Sequence, residues 1–456
     1  MEDSFEIDCR VRDTDGFRGT IRYIGPVAAA KNKTETWLGV EWDKQDRGKH
    51  DGSCVDEQGN LHRYFKCALG AGSFVKMNKV MGGRSLGDAL RERYVGMDAP
   101  SFTRIDDPVL PGSFVTTSKG NTKPIEFHGE HKVRLYQQLS KVDAVAVRND
   151  TVANIEPNIG ASIGHVIEVD LQDNLIYKWS ELATLTACVP GLQTLLLHGN
   201  RMQDVTPQIA ASLPPLCYSN LRTLALNACS INSWASMHRL AQFLPAIEQL
   251  YLSGNCLEDL PKLPTASTAS DDQINQNIVS IFTEVETSHA GVSNAVEQAA
   301  LVAAREAASA WTALRVLDIS GCKINDWSQI LFFAFFPSLE EILLDSNPFE
   351  RIAPCPISGF SALSRLSCSD TLLKEWADID ALATYAQMAN LRLSHIPLFS
   401  GRGASEVRPY VIARIPQLDF FNGSTCTLLM SCNPGFAIFR FALHVYCFLF
   451  HVLQIL

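Results

Sequence analysis

The chain has 456 residues, of which 46% are hydrophobic, and a formal net charge of −10 at pH 7. This length allows roughly two to four domains, or one small domain with a repeat array, and the apolar content suffices for a packed core. The charge is uneven, because residues 1–148 carry 23 Lys and Arg against 21 Asp and Glu, whereas residues 149–456 carry 16 against 28. A chain this acidic argues against nucleic acid as a partner.

The N-terminus and the cysteines point to a reduced cytosolic protein. Residues 1–6 are acidic and lack an apolar h-region, so no signal peptide is expected. The 13 cysteines are scattered without a Cys-x-x-Cys pair, which argues against a zinc site or a redox pair. Neither a phosphate-binding P-loop nor a His-Glu-x-x-His pattern occurs. We therefore predict a protein that is not an enzyme and has no cofactor or metal.

Residues 6–80 are predicted to form a small, curled antiparallel β-barrel. The segment Trp37-Leu38-Gly39-Val40-Glu41-Trp42 alternates with the period of a strand, and further short strands are separated by glycine-containing turns. Residues 81–145 contain several turn-forming segments, and we interpret them as a connector with a short helix near residues 86–94.

A repeat of about 25 residues begins at Val166, with the pattern apolar-x-x-apolar-x-apolar-x-x-Asn/Cys. Its copies start at Val166, Leu192, Leu221, Ile247, Leu314, Leu339, Leu363 and Met388. This register predicts leucine-rich repeats over residues 146–424, in which each copy gives a short parallel strand and the Asn or Cys bonds the backbone at the turn. A terminal cap is expected at residues 404–424.

Recurring tryptophans and one long insertion accompany the repeats. A Trp follows an apolar position by three residues in four copies, and we expect these side chains to pack inward. They are Trp179, Trp234, Trp327 and Trp376. The long step between Ile247 and Leu314 indicates an insertion at residues 262–312, expected to be a surface excursion.

Residues 425–456 form an atypical apolar tail. The segment 436–456 is long and apolar enough for a membrane span, although it contains Arg440. Three interpretations stay open: an alternative or mispredicted end, a tail anchor, and packing against the solenoid.

The segment Gly48-Lys49-His50-Asp51-Gly52 has the chemistry of a loop that holds an acidic chain end. Lys49 supplies positive charge for a carboxylate, while Gly48 and Gly52 permit positive φ and close backbone approach. The side chain of His50 can donate and accept one hydrogen bond each when neutral, and it could introduce a pH dependence near pH 6–7. Asp51 is expected to stabilise the loop.

Five motifs in order resemble the CAP-Gly domain family over about residues 9–80. They are Gly19-Thr20-Ile21-Arg22-Tyr23-Ile24-Gly25, Trp37-Leu38-Gly39-Val40-Glu41, Gly48-Lys49-His50-Asp51-Gly52, Arg63-Tyr64-Phe65-Lys66-Cys67 and Gly72-Ser73-Phe74-Val75-Lys76. The resemblance implies an SH3-like barrel whose groove binds the acidic, aromatic-ended C-termini of α-tubulin and end-binding proteins. It places Trp37 and Phe74 in that groove, or in the barrel core, and makes Lys76 a second cation. The family loop has Asn where this chain has His50, and many members have His in place of Ala71.

A CAP-Gly domain followed by leucine-rich repeats resembles the tubulin-binding cofactor E family of tubulin-specific chaperones. The resemblance covers about residues 1–424 and implies a cytoplasmic, cytoskeletal folding cofactor. It would bind α-tubulin and work with tubulin-folding cofactors C and D and an Arf-like GTPase to assemble or dissociate the αβ heterodimer. Most members continue with a ubiquitin-like domain, which we do not find in this sequence. The alternatives are a microtubule-associated adaptor without folding activity and a tail-anchored scaffold.

Overall fold

A computed structural model describes residues 5–32, 34–98, 114–116, 122–124, 139–263, 302–356 and 359–426. The chain divides into two compact units, Met1–Leu196 and Leu197–Leu456.

The first unit begins with an antiparallel β-barrel. Its strands are β1 (Arg10–Asp13), β2 (Arg18–Gly25), β3 (Trp37–Trp42), β4 (Ser53–Val55), β5 (Leu61–Arg63), β6 (Gly72–Val75) and β7 (Val80–Met81). Five of them form a sheet in the order β6-β3-β2-β1-β7, while β4 and β5 pair as a hairpin. The buried core consists of the apolar side chains Val11, Ile21, Leu38, Val40, Trp42 and Val80.

The first unit continues with a mixed segment and then with parallel strands. Its elements are β8 (Arg84–Ser85), a helix (Leu86–Asp98), β9 (Phe114–Thr116), β10 (Thr122–Pro124), β11 (Ala144–Ala146), β12 (Val152–Asn154), a helix (Gly160–Ile163), β13 (Glu168–Asp170), a helix (Trp179–Cys188) and β14 (Thr194–Leu196). Strands β11, β13 and β14 pair in parallel, and β12 pairs with β8. The helix expected near residues 86–94 is therefore present and longer. Strand β11 was not predicted, because it precedes the first recognisable copy of the repeat.

The second unit is a solenoid of parallel strands. They are β15 (Thr223–Ala225), β16 (Gln249–Tyr251), β17 (Val316–Asp318), β18 (Glu341–Leu343), β19 (Arg365–Ser367), β20 (Asn390–Arg392) and β21 (Phe420–Phe421), with β22 (Ser424–Thr425) antiparallel at the end. The α-helices are Pro207–Ser212, Trp234–Ala241, 302–310, Trp327–Ile330, Trp376–Leu382 and Ala404–Arg414. All eight predicted repeat copies contain a strand, so the predicted fold class, a β-barrel followed by a leucine-rich-repeat solenoid, is confirmed.

The Asn position of the repeat holds neighbouring turns together. The Asn347 side chain is fully buried and donates to the carbonyls of Ile319 and Leu344, both at 2.9 Å, while its oxygen accepts from the Ile324 amide at 3.0 Å. Cys322 takes the equivalent position, and its thiol donates to the carbonyl of Leu252. Each such side chain satisfies buried backbone groups that would otherwise lose hydrogen bonds on burial.

Three of the four repeat tryptophans pack inward as expected. Trp179, Trp234 and Trp327 are at most 3% exposed, whereas Trp376 is only half-buried. Trp376 belongs to the copy that starts at Leu363, and its ring is flanked by Phe399, from the copy that starts at Met388, and by Tyr410, from the cap.

The predicted insertion and tail lie mostly outside the described residues. Residues 264–301 and 427–456 are not described, so the interpretations of the segment 436–456 stay open. Within the described ranges, no helix is both long and apolar enough to cross a membrane.

Candidate functional site

The loop from Gly48 to Gly52 is held against strand β6 by backbone hydrogen bonds. The amides of Lys49 and His50 donate to the carbonyl of Gly72 at 2.7 and 3.1 Å, and the Gly72 amide returns a bond to the His50 carbonyl at 2.8 Å. The Lys49 side chain is exposed, so its ammonium group faces solvent. The sheet therefore fixes the loop backbone and leaves its cation accessible.

Two glycines make this close packing possible. A Cβ on Gly48 would lie 2.4 Å from the Ala71 carbonyl carbon, which is far inside van der Waals contact. Gly52 has φ +91°, and a Cβ there would lie 2.2 Å from the Phe65 carbonyl oxygen. Both positions therefore exclude every larger residue unless the backbone moves.

His50 uses one ring nitrogen inside the loop. Its Nδ1 accepts the Gly52 amide at 3.1 Å, so the neutral ring carries its hydrogen on Nε2. The ring stacks on Phe74 with centroids 4.6 Å apart and planes 29° apart. Burial lowers the pKa of His50 from its ordinary value, the Lys49 charge lowers it further, and Asp51 opposes both. The neutral ring therefore offers a donor, and its pKa lies below the ordinary value of 6.5.

Asp51 is occupied within the loop. Its carboxylate accepts from the Ser53 hydroxyl and from Arg63 Nη2 at 2.7 Å. These two bonds lower the pKa of Asp51 to about 2, and the Ser53 bond has the larger effect. This arrangement is typical of a residue that stabilises a loop.

An aromatic cluster surrounds the loop. It consists of His50, Tyr23, Tyr64, Phe65 and Phe74. The Phe74 ring lies 5.2 Å from Tyr64 and 5.8 Å from Phe65, both at near-perpendicular angles. Phe74 is half-buried and lies outside the barrel core, so it presents apolar surface beside the loop.

Trp37 and Lys76 form a second part of the same region. In the pairing of β3 with β6, Leu38 lies opposite Val75, which brings the residues one step further, Trp37 and Lys76, side by side. The Lys76 ammonium lies 5.5 Å from the Trp37 ring centroid and 2.7 Å from a carboxylate oxygen of Glu35. The Trp37 indole nitrogen is buried without a hydrogen-bond partner among the described residues. Trp37 is half-buried and, like Phe74, outside the barrel core.

The structure brings together what the sequence singled out and adds three aromatics. Lys49, His50 and Phe74 meet at the loop, and Trp37 meets Lys76 on the neighbouring strands. Tyr23, Tyr64 and Phe65 were not predicted as site residues. All three belong to motifs that carried the family resemblance, and this was the signal available for finding them.

Two segments, 83–87 and 160–164, fit the Gly-x-Ser-x-Gly pattern of hydrolase nucleophiles. Ser85 Oγ accepts the Asp88 amide at 3.1 Å, which is a helix-capping bond. Ser162 lies on the short helix Gly160–Ile163. Neither serine is hydrogen-bonded to a histidine within the described part of the chain, so the geometry does not support a nucleophile at either position.

The fold and the loop define the class of this protein as a CAP-Gly domain joined to a leucine-rich-repeat solenoid. The family model described as CAP-Gly domain matches residues 7–80. The chain is homologous to tubulin-specific chaperone E. It is 27% identical over 424 residues to the Bos taurus protein of that name, covering 90% of this chain and 67% of that protein.

The chain is also similar to a plant protein and to a solved structure. The chain is 26% identical over 439 residues to tubulin-folding cofactor E of Arabidopsis thaliana, covering 92% of this chain and 71% of that protein. It is also similar to an internalin from Listeria monocytogenes, with 15% identity, a TM-score of 0.31, and coverage of 67% of this chain and 76% of that one. The last similarity is too weak to carry an argument, and the fold assignment rests on the strand register above.

Proposed function

We propose that this protein is a tubulin-folding cofactor that binds α-tubulin. The CAP-Gly region holds the acidic, aromatic-ended C-terminal tail of α-tubulin, and the repeats hold its folded body. The homology to tubulin-specific chaperone E supports the folding role. The relatives are named as chaperones, which agrees with a function that is not enzymatic.

The observation that carries the proposed tail site is the pairing of donors with an aromatic cluster. Exposed Lys49 and the Nε2–H of His50 can donate to carboxylates, while half-buried Phe74 can pack against an aromatic end residue. Trp37 and Lys76 extend the same chemistry along β3 and β6. Gly48, Asp51 and Gly52 belong to the same peptide-binding loop and keep it in shape.

The proposed partners beyond α-tubulin are tubulin-folding cofactors C and D and an Arf-like GTPase, acting together on the αβ heterodimer in the cytoplasm. The test is a pull-down with the full chain, in which α-tubulin is retained and removal of its terminal acidic and aromatic residues weakens the retention. Unchanged retention of the truncated α-tubulin would contradict the proposal that the CAP-Gly region holds the tail. Binding along polymerised microtubules, with no effect on heterodimer assembly or dissociation in the presence of cofactor D, would favour the adaptor instead.

A further inference from the structure

Glu35 forms an ion pair with Lys76, one of the two cations of the proposed groove, in the free protein. Its carboxylate lies 2.7 Å from the Lys76 ammonium, and the two side chains are 32% and 49% exposed. The same ammonium lies over the Trp37 ring at 5.5 Å. A ligand carboxylate that approaches Trp37 and Lys76 must therefore compete with Glu35.

The loop that carries Glu35 is fastened to the aromatic cluster. The Tyr64 hydroxyl accepts the Ala28 amide at 2.7 Å, and the Tyr23 hydroxyl donates to the Pro26 carbonyl at 2.7 Å. Val27 is buried in the same loop. Further along, the Glu35 amide donates to the Asn32 carbonyl at 3.3 Å, so the contact with Lys76 starts from a structured turn.

We propose that Glu35 stands in for a ligand carboxylate on Lys76 and thereby lowers the affinity of the groove for acidic ends. This inference rests on the proposed function, because it concerns the same groove. An acidic side chain of the tail displaces Glu35 and exchanges one ion pair of Lys76 for another, whereas a neutral side chain leaves the pair with Glu35 in place. Glu35 therefore reduces the advantage in affinity that an acidic end gains from Lys76 over a neutral end.

The test is isothermal titration calorimetry of the full chain with two synthetic peptides. One is an acidic peptide that ends in Tyr with a free carboxylate, and the other has Gln in place of each Glu. We expect Glu35→Gln to tighten binding of the acidic peptide by about two- to five-fold, the range that follows from the strength of an exposed ion pair, and to leave the affinity for the Gln peptide unchanged. Glu57→Gln removes an exposed charge from the same domain and serves as the matched control. The gain should vanish when Lys76→Met is present in both proteins.

Three results would overturn the inference. They are weaker binding of the acidic peptide by the Glu35→Gln variant, a gain that persists with Lys76→Met, and an equal gain for Glu57→Gln. Weaker binding would show that Glu35 orients Lys76 for the ligand. Failure of the unmodified chain to bind the acidic peptide at all would instead remove the proposed groove function, and the role of Glu35 with it.

Discussion

At the scale of single residues, most polar side-chain groups of the Gly48–Gly52 loop form hydrogen bonds that hold the loop itself. Asp51 is engaged by Ser53 and Arg63, and His50 Nδ1 by the Gly52 amide. Lys49 and His50 Nε2 remain to face a ligand. The family loop has Asn at position 50, which offers both donors and an acceptor, so this chain carries a site biased toward groups that accept hydrogen bonds.

The lowered pKa of His50 gives the first prediction. In an NMR titration of the full chain, the His50 ring should titrate below the ordinary value of 6.5. Its signal is identified by its loss in His50→Asn and its retention in the control His165→Asn. Because folding lowers this pKa, the unfolded chain binds the proton first as the pH falls, so His50 costs stability below about pH 6.5 and not above it. A midpoint above 6.5 would contradict the claim that burial of the His50 ring favours its neutral form.

Gly52 gives the second prediction. Gly52→Ala places a Cβ against the Phe65 carbonyl oxygen and puts a non-glycine residue at an unfavourable positive φ. We therefore expect the free energy of opening of the loop to fall by about 1–3 kcal/mol. Gly59→Ala is the matched control, because Gly59 has φ +89° and a Cβ added there would meet nothing within 4 Å. Hydrogen exchange of the β6 amides should rise much more in Gly52→Ala. Equal exchange in the two variants would mean that the close packing is unimportant.

At the scale of elements, the repeat register was predictable because one physical rule recurs in every copy. The strand places alternate apolar side chains inside, and Asn or Cys then binds the buried turn. Strand β11 escaped prediction because its interior position is supplied by Val145 between two alanines, without the leucines of the other copies. The Trp376 ring contacts Tyr410 of the cap, and the local pattern around the tryptophan does not encode this contact.

The Asn position of the repeat gives the third prediction. Asn347→Ala removes three hydrogen bonds from buried backbone groups. We therefore expect the free energy of unfolding of the second unit to fall by at least about 2 kcal/mol. Asn390→Ala is the control, because Asn390 lies on the half-exposed face of β20. Urea unfolding of the two variants, followed by circular dichroism, compares them. An equal loss from both substitutions would show that the turn bonds do not stabilise the solenoid.

The site was only partly predictable for a related reason. Lys49, His50 and the bracketing glycines stand together in the sequence, so their chemistry could be recognised directly. The pairing of Lys76 with Glu35 joins a strand end to a distant loop, and the burial that lowers the pKa of His50 comes from three-dimensional packing. Neither leaves a local pattern in the chain.

At the scale of the whole molecule, charge limits where an acidic tail can bind. Residues 149–456 carry a surplus of 12 negative charges, while residues 1–148 are nearly balanced. Because charges more than about 8 Å apart are largely screened at physiological salt, the exposed cations of the CAP-Gly region can still attract a tail locally. The proposed function therefore requires Lys49 to act on the tail of α-tubulin and not on its folded body.

The most direct test measures the affinity of the full chain and its Lys49→Ala variant for α-tubulin with and without its C-terminal tail. We predict that Lys49→Ala weakens binding to intact α-tubulin by about ten-fold or more, since a charge-assisted bond is lost, and leaves binding to tail-less α-tubulin unchanged. Lys44→Ala, which removes a cation that lies over Phe17 in the same domain, is the control and should change neither affinity. Equal affinity of the unmodified chain for intact and tail-less α-tubulin would contradict the account.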